Sequence, residues 1–393
     1  MLSHLWWEDR LEHRGSKVFL GATLLRPGAG GISAVARMSV RALIGSGVRV
    51  DLLSFLDTEP VEVDGVAARL ARGSKFKFLL AANRLALRNP FALYDSVGTA
   101  RAHPRALGRL RPYATWIHGI EVWYDGSPAR ARALAGADIV LVNSAFTLAK
   151  FETLRGPLPR AQVCSLSTES DDAPHALASF QGPPSVLILG RIEAAEDYKG
   201  HRELIAAWPQ VMAAVPEARL VIAGGGSGLD AIRAAAASSP ARESIDVLGF
   251  VPEEALPALW DAAHVFAMPS RNEGFGIVYA EAMRRGLPVV ASIHDAGREV
   301  NVDGVTGFNA DLDREDDLAD RLIFLLRNTD KAAAMGLAGH ARWQRNFRFS
   351  DFATRLHSRL DKYLSMPAGG PAGKPLDDYS AHLSEAIDHA KTL

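Results

Sequence analysis

The chain has 393 residues and a formal net charge of −1, with 44 lysines and arginines against 45 aspartates and glutamates. Hydrophobic residues make up 48% and charged residues 23%, which is ordinary for a globular protein of two domains. This charge balance gives no general attraction to nucleic acid. No apolar stretch approaches the ~18 consecutive residues of a membrane span, so the composition predicts a soluble protein.

The start of the chain, MLSHLWWEDRLEHRGSK, carries Glu8, Asp9 and Glu12 and has too short an apolar run for a secretory signal. A single cysteine, Cys164, excludes an intrachain disulfide and offers no cysteine cluster for a metal. Cys164 lies in an apolar, strand-like run and is expected in the core. These features predict a cytoplasmic protein.

The first half of the chain alternates strand and helix patterns. Residues 18–22 and 48–55 are predicted strands, and residues 33–44 between them show helical periodicity, which makes a βαβ unit. Further strands are predicted at 114–118 and 138–142, and helices at 127–134 and 145–154. We therefore predict an α/β domain over residues 1–180.

A second block of the same kind follows the linker Gln181, Gly182, Pro183 and Pro184. Strands are predicted at 186–189, 219–223, 245–248, 265–268 and 288–291, separated by helices. Such alternation favours parallel sheets covered by helices on both faces. It predicts a second α/β domain over residues 181–345 and a cleft between the domains, with ligands beyond the carboxyl ends of the strands.

The segment PSRNEGFGIVYAEAMRRGLPVVA, residues 269–291, places Glu273 in a loop and Glu281 in the helix that follows. The first N–H groups of that helix, at Gly276, Ile277 and Val278, are suited to hold a phosphate. Carboxylates beside such a site are expected to face hydroxyl groups, such as those of a sugar and a ribose. The alternative is one acid near a helix start and one on the surface.

Two cations stand at the carboxyl edge of the same predicted sheet, in GRIEAAEDYKGH. Arg191 follows a strand and Lys199 precedes a helix, a placement that suits a diphosphate. They could instead balance neighbouring acids such as Glu196. The next strand ends in three glycines beginning at Gly224, which gives the backbone freedom beside this edge or simply makes a turn.

In the first domain, RPGAGGIS places Gly30 and Gly31 directly before a helix. A dinucleotide-binding fingerprint would use Gly28 and Gly30, but Ser33 occupies the position of its third glycine and its acidic residue is missing from the end of the next strand. The pair is therefore interpreted as a close approach to another ligand, or as a turn that opens the helix.

His118 ends a predicted strand in ATWIHGIEVWYDG, where it could hydrogen-bond a substrate hydroxyl or serve as a structural histidine. Glu299, in GREVNVDGVTGF, follows the last predicted strand of the second domain. It is expected either to face the cleft or to cap a helix.

The order GR, KG, the glycine-rich strand end, PSRNEGFGIVYAEAM and REV to TGF resembles the GT-B glycosyltransferases, in particular the large retaining family that includes bacterial mannosyl- and glucosyltransferases. The resemblance covers residues 17–360. It implies two Rossmann-like domains with parallel sheets facing a central cleft, and a helix over 346–365 that packs back toward the N-terminal domain. The usual asparagine-glycine turn before the linker is absent, since residues 164–170 are CSLSTES. The tail 366–393 lies outside the resemblance and is predicted to be a linker and a short amphipathic helix.

The resemblance also implies roles by position. Arg191 and Lys199 match the residues that neutralise the donor diphosphate, Glu281 the one that binds the ribose, and Glu273 and His118 those that contact the donor sugar. The remaining donor-binding positions implied in this way are Gly30, Gly31, Gly224, Phe250, Val251, Phe275, Gly276 and Ile277.

By this resemblance the protein transfers a hexosyl group, with retention, from a nucleotide sugar of the GDP-mannose or UDP-glucose type to a glycan, lipid-linked or small-molecule acceptor in the synthesis of cell-surface polysaccharide or glycolipid. No metal or other cofactor is expected, because Arg191, Lys199 and a helix N-terminus can stabilise the departing diphosphate. The alternatives are a GT-B epimerase or hydrolase of a nucleotide sugar, and a non-catalytic scaffold that binds one.

Residues 66–111 contain Asp95 as their only acid among many basic residues. With Phe76, Phe78, Leu79 and Leu80 they predict a surface that docks on an anionic membrane, at the inner face of the plasma membrane. The alternative is a solvated helical face, and no nucleic-acid partner is expected. The basic residues are Arg69, Arg72, Lys75, Lys77, Arg84, Arg88, Arg101, Arg105, Arg109 and Arg111.

Overall fold

The computed structural model describes residues 16–104, 111–124, 126–174 and 176–365. The predicted tail therefore lies outside the described residues, as do Arg105 and Arg109 of the basic segment. The described residues form two compact units, with the chain passing from the first to the second between Leu166 and Ser167 and returning between Asp351 and Phe352.

The first unit is built on a seven-stranded parallel sheet with the order β5-β2-β1-β6-β7-β8-β9. Three neighbouring strands, β6, β7 and β8, are buried along their whole length, as expected for a sheet covered on both faces. In chain order the elements are β1 Lys17–Ala22, α1 Gly31–Gly45, β2 Arg49–Ser54, β3 Glu62–Val63, β4 Val66–Ala67, β5 Arg69–Leu70, α2 Lys75–Arg88, β6 Phe91–Tyr94, α3 Val97–Ala100, β7 Tyr113–Ile117, α4 Ile120–Trp123, α5 Pro128–Gly136, β8 Ile139–Val142, α6 Ala145–Arg155 and β9 Ala161–Val163.

The second unit contains a six-stranded parallel sheet with the order β12-β11-β10-β13-β14-β15. The strand order reverses direction between β10 and β13, and such a switch point is where open parallel sheets bind ligands. The elements are β10 Ser185–Leu189, α7 His201–Ala214, β11 Arg219–Ala223, α8 Leu229–Ser238, β12 Ile245–Gly249, α9 Leu256–Asp261, β13 Val265–Ala267, α10 Ile277–Arg284, β14 Val289–Ser292, α11 Gly297–Val300, β15 Gly307–Ala310, α12 Asp317–Arg327 and α13 Thr329–Asn346.

The last described helix, α14 Phe349–Leu364, belongs to the first unit from Phe352 onward. There Phe352 stacks on Trp116 with a centroid separation of 6.1 Å, and Tyr363 stacks on Phe91 at 4.9 Å. The first boundary lies 14 residues before the predicted position, at 166/167 instead of 180/181. The physical reason is that Thr168 already pairs with the second unit, donating its N–H to the carbonyl of Phe347 at 3.0 Å.

The structure confirms the parallel α/β architecture expected of both halves, and most predicted strands agree with it to within one or two residues. The sequence analysis did not identify β6, a buried four-residue strand between β1 and β7, or β15 at the edge of the second sheet. Both are short and have no clear alternation of polar and apolar residues, because they are buried or nearly so along their length.

Candidate functional site

The loop between β13 and α10 is held in a conformation that requires glycine. Gly276 caps α10 with φ of 82°, in the left-handed region, and a Cβ there would lie 2.3 Å from the Tyr279 ring. Tyr279 is fixed, since its hydroxyl donates to the carbonyl of Met268 at 2.6 Å. Phe275 is buried and packs edge-on against Phe347. The side chain of Phe275 is therefore part of the core, and the loop can offer a ligand its backbone.

A buried carboxylate that the sequence analysis missed organises this loop. Asp295, which follows β14, accepts the N–H of Glu273 at 3.1 Å and the N–H of Gly297 at 2.8 Å. The Ser270 hydroxyl donates to the same oxygen as Glu273. Burial raises the pKa of Asp295 to about 7. The only signal in the sequence was an acid placed four residues after a predicted buried strand, in IHDAG.

The predicted cations and Glu273 lie together at the carboxyl edge of the sheet. Lys199 Nζ is 3.6 Å from Glu273 Oε2 and 3.5 Å from Glu196 Oε2. Arg191 Nη2 is 2.6 Å from the other oxygen of Glu196. The structure therefore brings Arg191, Lys199 and Glu273 into one ionic cluster, and adds Glu196, which the sequence analysis had regarded only as a balancing acid.

Glu281 lies on α10, within the second unit, and is partly buried. Its pKa is raised to about 7, chiefly because burial disfavours the charged form, and further by the negative charge of Glu169. Arg284 and Arg285 act in the opposite direction. A carboxyl group in this state gains charge readily when a ligand supplies hydroxyl donors.

The glycine-rich end of β11 lies against the end of β10. Gly224 has φ of 145°, and a Cβ on it would be 1.7 Å from the carbonyl oxygen of Gly190, so no side chain fits between the two strand ends. Beyond them Phe250, after β12, is 77% exposed, and Val251 is partly buried. The predicted neighbours of the base thus include one large apolar ring that is open to solvent.

One histidine and two aspartates lie together after β14 and β15. His294, Asp311 and Asp313 place one ligand atom each within 4.8 Å of one another. However, Leu312 donates its N–H to His294 Nε2 at 3.0 Å, and Arg271 pairs with Asp313 at 2.9 Å. These partners satisfy the group without an ion, so we assign no metal to it.

Glu299 is part of the short helix α11. The guanidinium of Arg342 donates to its backbone carbonyl at 2.8 Å. This contact involves the main chain of Glu299, and we assign no role in binding to its side chain.

In the first unit, His118 follows β7 and is fixed from two directions. Its Nε2 is 2.7 Å from the carbonyl oxygen of Asp95, and its backbone N–H donates to Glu121 at 2.5 Å. Because a carbonyl only accepts, Nε2 must carry the hydrogen, and Nδ1 is then an acceptor when the ring is neutral. His118 is suited to accept a hydrogen bond from a hydroxyl group.

Asp95, the only acid of the basic segment 66–111, does not lie on its surface. Its carboxylate is buried, accepting the N–H of Thr23 at 2.6 Å and the hydroxyl of Thr99 at 2.8 Å. Burial raises its pKa. Asp95 therefore fixes the start of the loop that leads to Gly30, while its carbonyl fixes His118.

The loop between β1 and α1 is held by hydrogen bonds along its length. Leu25 donates its N–H to the buried carboxylate of Asp57 at 2.7 Å, and Arg37 donates to the carbonyl of Arg26 at 2.8 Å. Gly30 caps α1 with φ of 99°. A Cβ on Gly31 would meet no atom within 4 Å, so the space above this glycine is open in the first unit.

The helix α2 exposes one face that is both apolar and basic. Phe76 is 74% exposed and Leu80 61%, and Leu79 and Leu87 are also exposed. The exposed cations of the helix are Lys75, Lys77, Arg84 and Arg88. Phe78, which the sequence analysis placed on the same surface, is buried against the sheet side of the unit.

Comparison with known proteins places this fold and these motifs in one class. The profile of the family Glycosyl transferases group 1 matches residues 169–342. A GDP-mannose-dependent alpha-(1-6)-phosphatidylinositol monomannoside mannosyltransferase of Mycobacterium tuberculosis is 31% identical over 272 residues, which cover 64% of this chain and 70% of the relative. The protein of the same description from Mycolicibacterium smegmatis is 32% identical, covering 65% and 72%.

Solved structures share the fold. A sucrose-phosphate synthase from Thermosynechococcus elongatus superimposes with a TM-score of 0.74 at 20% identity, covering 88% of this chain and 98% of the other. HepE from Anabaena, in complex with UDP and glucose, gives a TM-score of 0.71 at 18% identity, covering 88% and 100%. The fold is that of the GT-B glycosyltransferases, as predicted.

The chain belongs to the group 1 glycosyl transferases. It is therefore a glycosyltransferase. Among the described residues, none of the helices is both long enough and apolar enough to cross a bilayer.

Proposed function

We propose that this protein is a retaining mannosyltransferase that uses GDP-mannose and a lipid-linked acceptor. The donor and acceptor classes follow those named for the mycobacterial relatives. The single observation that carries the proposal is the ionic cluster in which Lys199 lies within 3.6 Å of both Glu196 and Glu273 while Arg191 contacts Glu196. It supplies fixed positive charge for a diphosphate next to a carboxylate for a sugar.

Each residue then has a defined task in the transfer. Arg191, Lys199 and the N-terminus of α10 stabilise the negative charge that builds on the departing nucleoside diphosphate. Glu273 accepts hydrogen bonds from hydroxyl groups of the donor sugar. His118, in the first unit, accepts a substrate hydroxyl through Nδ1. Glu281 accepts from the ribose. None of these interactions requires a metal ion.

Retention follows if the acceptor hydroxyl attacks from the face that the diphosphate leaves. A phosphate oxygen of the leaving group then takes the acceptor proton while the new glycosidic bond forms. Glu273 orients the sugar in this scheme and does not form a covalent intermediate. Analysis of the product anomer by NMR tests this step, and an inverted product would refute it.

The proposal also includes a membrane-facing role for α2. Its exposed apolar side chains, Phe76, Leu79, Leu80 and Leu87, alternate with exposed cations. An interfacial helix has this combination, because the apolar groups enter the headgroup region while the cations meet anionic lipid. A lipid-linked acceptor would be reached from such a surface.

The donor assignment is tested by calorimetry and product analysis with GDP-mannose, UDP-glucose and ADP-glucose. We expect GDP-mannose alone to bind tightly and to yield a mannosylated lipid with a phosphatidylinositol-type acceptor. Lys199→Ala should weaken GDP binding by about tenfold or more, since it removes a direct charge from the diphosphate site. The matched control is Lys331→Ala on α13, which should bind GDP like the parent.

Unchanged GDP binding in Lys199→Ala would show that the diphosphate site is misassigned. An altered nucleotide sugar released without any acceptor would instead favour the epimerase or hydrolase hypothesis. Binding of GDP-mannose without turnover on any glycan or lipid acceptor would favour the non-catalytic scaffold.

A further inference from the structure

Glu196 connects the two cations of the diphosphate site. It lies on a short 3-10 turn, Ala194–Glu196, between β10 and α7. One carboxylate oxygen is 2.6 Å from Arg191 Nη2 and the other is 3.5 Å from Lys199 Nζ. A carboxylate that bridges two cations through separate oxygens makes the contacts that a phosphate group would make there.

The environment of Glu196 is not that of a solvated surface acid. Its side chain is 21% exposed, and the oxygen that faces Lys199 is buried and has no hydrogen-bond partner among the described residues. A buried carboxylate oxygen without a donor is costly unless a nearby charge compensates it. Glu196 is therefore held there by the charges of Arg191 and Lys199.

The charges of this cluster cancel. Arg191 and Lys199 contribute two positive charges, and Glu196 and Glu273 contribute two negative ones. A diphosphate entering the cluster would meet no net positive charge as long as both carboxylates stay in place. One of them must move away from the cations, or the diphosphate is repelled as strongly as it is attracted.

Glu196 is the carboxylate placed to move. Glu273 lies in the loop that Asp295 holds, since its N–H donates to Asp295 at 3.1 Å. In the proposed function it must also remain near the donor sugar, whose hydroxyl groups it binds. Glu196 instead ends a turn of three residues whose preceding residue, Glu193, accepts hydrogen bonds from the N–H and hydroxyl of Ser227. Rotation of its side chain toward solvent would free both cations without disturbing Asp295 or α10.

We propose that Glu196 is an internal counter-ion that occupies the Arg191–Lys199 pair in the free enzyme and is displaced by the donor diphosphate. This inference rests on the proposed assignment of Arg191 and Lys199 to that diphosphate. Glu196 holds the two cations in place while the site is free of nucleotide. Its return after transfer competes with the nucleoside diphosphate product and favours product release.

The test is Glu196→Gln, which keeps the size of the side chain and removes its charge. We expect GDP, measured by calorimetry at low salt, to bind about fivefold more tightly, because the cations are no longer neutralised. The gain should shrink in 0.5 M salt, since screening weakens the competing charge as well as the attraction. In steady-state assays the KM for GDP-mannose should fall while the KM for the acceptor is unchanged.

The matched control is Asp197→Asn. Asp197 is the next residue in the loop, and its carboxylate pairs with Arg202 at 2.8 Å instead of with the diphosphate cations. The Asp197→Asn variant removes one negative charge from the same loop, as Glu196→Gln does, and should leave GDP affinity within about twofold of the parent. Glu196→Asp, which retains the charge on a shorter side chain, should not reproduce the tighter binding of Glu196→Gln.

The possible outcomes separate the two proposals. Weaker or unchanged GDP binding in Glu196→Gln overturns the counter-ion role, because Glu196 would then only align the cations or contribute nothing. Equal tightening in Asp197→Asn also overturns it, by showing a general effect of net charge. In either case a loss of GDP binding in Lys199→Ala leaves the proposed function intact. If Lys199→Ala binds GDP like the parent, the proposed site itself fails.

Discussion

Two carboxyl groups of the second unit, those of Asp295 and Glu281, have raised pKa values because they are buried. Burial raises the pKa of Asp295 to about 7, although three donors favour its charged form. Burial also raises the pKa of Glu281 to about 7, and Glu169 adds to the shift. Both groups therefore titrate near neutral pH, where an ordinary surface carboxylate is fully charged.

The raised pKa values make the free energy of unfolding depend on pH in a defined direction. The folded pKa of Asp295 lies above its ordinary value of 3.8, so the neutral form is the one that favours folding. That contribution is fully present below about pH 4 and is lost as the pH rises through about 7. Glu281 acts in the same direction. The charged state that we propose for binding is thus opposed by the fold and must be favoured by the ligand.

For Glu281 we predict a pH-dependent affinity for GDP-mannose. A carboxylate accepts from the ribose hydroxyls through both oxygens, whereas the protonated acid keeps only part of this acceptor capacity. Binding should therefore favour the charged form and weaken by up to about tenfold per pH unit below about 7. Calorimetry at pH 5.5 to 8 measures this, with proton release detected from the dependence on buffer ionisation. Glu281→Gln should bind weakly and lose that part of the pH dependence. A parent-like pH profile in this variant would contradict the ribose assignment.

At the scale of elements, α10 and the loop before it position the chemistry. The helix begins at Ile277, after Gly276, and its first N–H groups are set by a left-handed glycine that packs over Tyr279. The sequence analysis placed Glu273 in the loop, Glu281 in the helix and the first N–H groups of the helix at residues 276–278, in agreement with the observed start. The local pattern was sufficient there, because glycines mark the turn and an apolar strand precedes it.

Gly276→Ala tests how strongly this loop depends on glycine. The variant combines backbone strain with a Cβ 2.3 Å from the buried Tyr279 ring, and we expect a loss of roughly 3 kcal/mol in the free energy of unfolding. Gly304→Ala is the matched control, because Gly304 has φ of 70° and a Cβ there meets nothing within 4 Å. It should lose only about 1 kcal/mol. Urea denaturation compares the two, and equal losses would show that the contact with Tyr279 is unimportant.

Other elements show where local patterns were insufficient. In α2, Phe76 and Phe78 are two residues apart, and only their packing decides that Phe76 is 74% exposed while Phe78 is buried. In the same way Asp95 directly follows β6, the central strand of the first sheet. The position of that strand follows from pairing with β1 and β7, which no short segment specifies.

At the scale of the whole molecule, the exposed face of α2 determines how we expect the enzyme to meet its acceptor. The combined variant Phe76→Ser and Leu80→Ser removes two exposed apolar groups from this face. Its binding to vesicles containing phosphatidylglycerol should fall by about tenfold or more in co-sedimentation. Burial of the two apolar side chains in the bilayer contributes up to several kcal/mol, and a loss of about 1.4 kcal/mol already weakens binding tenfold. Binding of the parent should also weaken at high salt.

Leu337→Ser serves as the control for this experiment, since Leu337 is 56% exposed on α13 in the second unit. It should bind vesicles like the parent. Parent binding that does not respond to anionic lipid or salt would remove the membrane hypothesis and leave α2 as a solvated face. Transfer to a water-soluble acceptor should be unaffected in the α2 variant, because none of the proposed donor-site residues belongs to α2.

The sequence by itself determined the parallel α/β architecture and the limits of most strands, and it named Arg191, Lys199, Glu273 and Glu281 as candidate site residues. These were accessible because apolar periodicity, glycines and charged residues at strand ends act over short stretches of chain. Only the tertiary structure decided that Asp295 holds Glu273, 22 positions away. It also decided that Asp95 holds Thr23, 72 positions away. Such pairs depend on the order in which strands assemble, and that order is set by burial of the whole sheet, which no local pattern encodes.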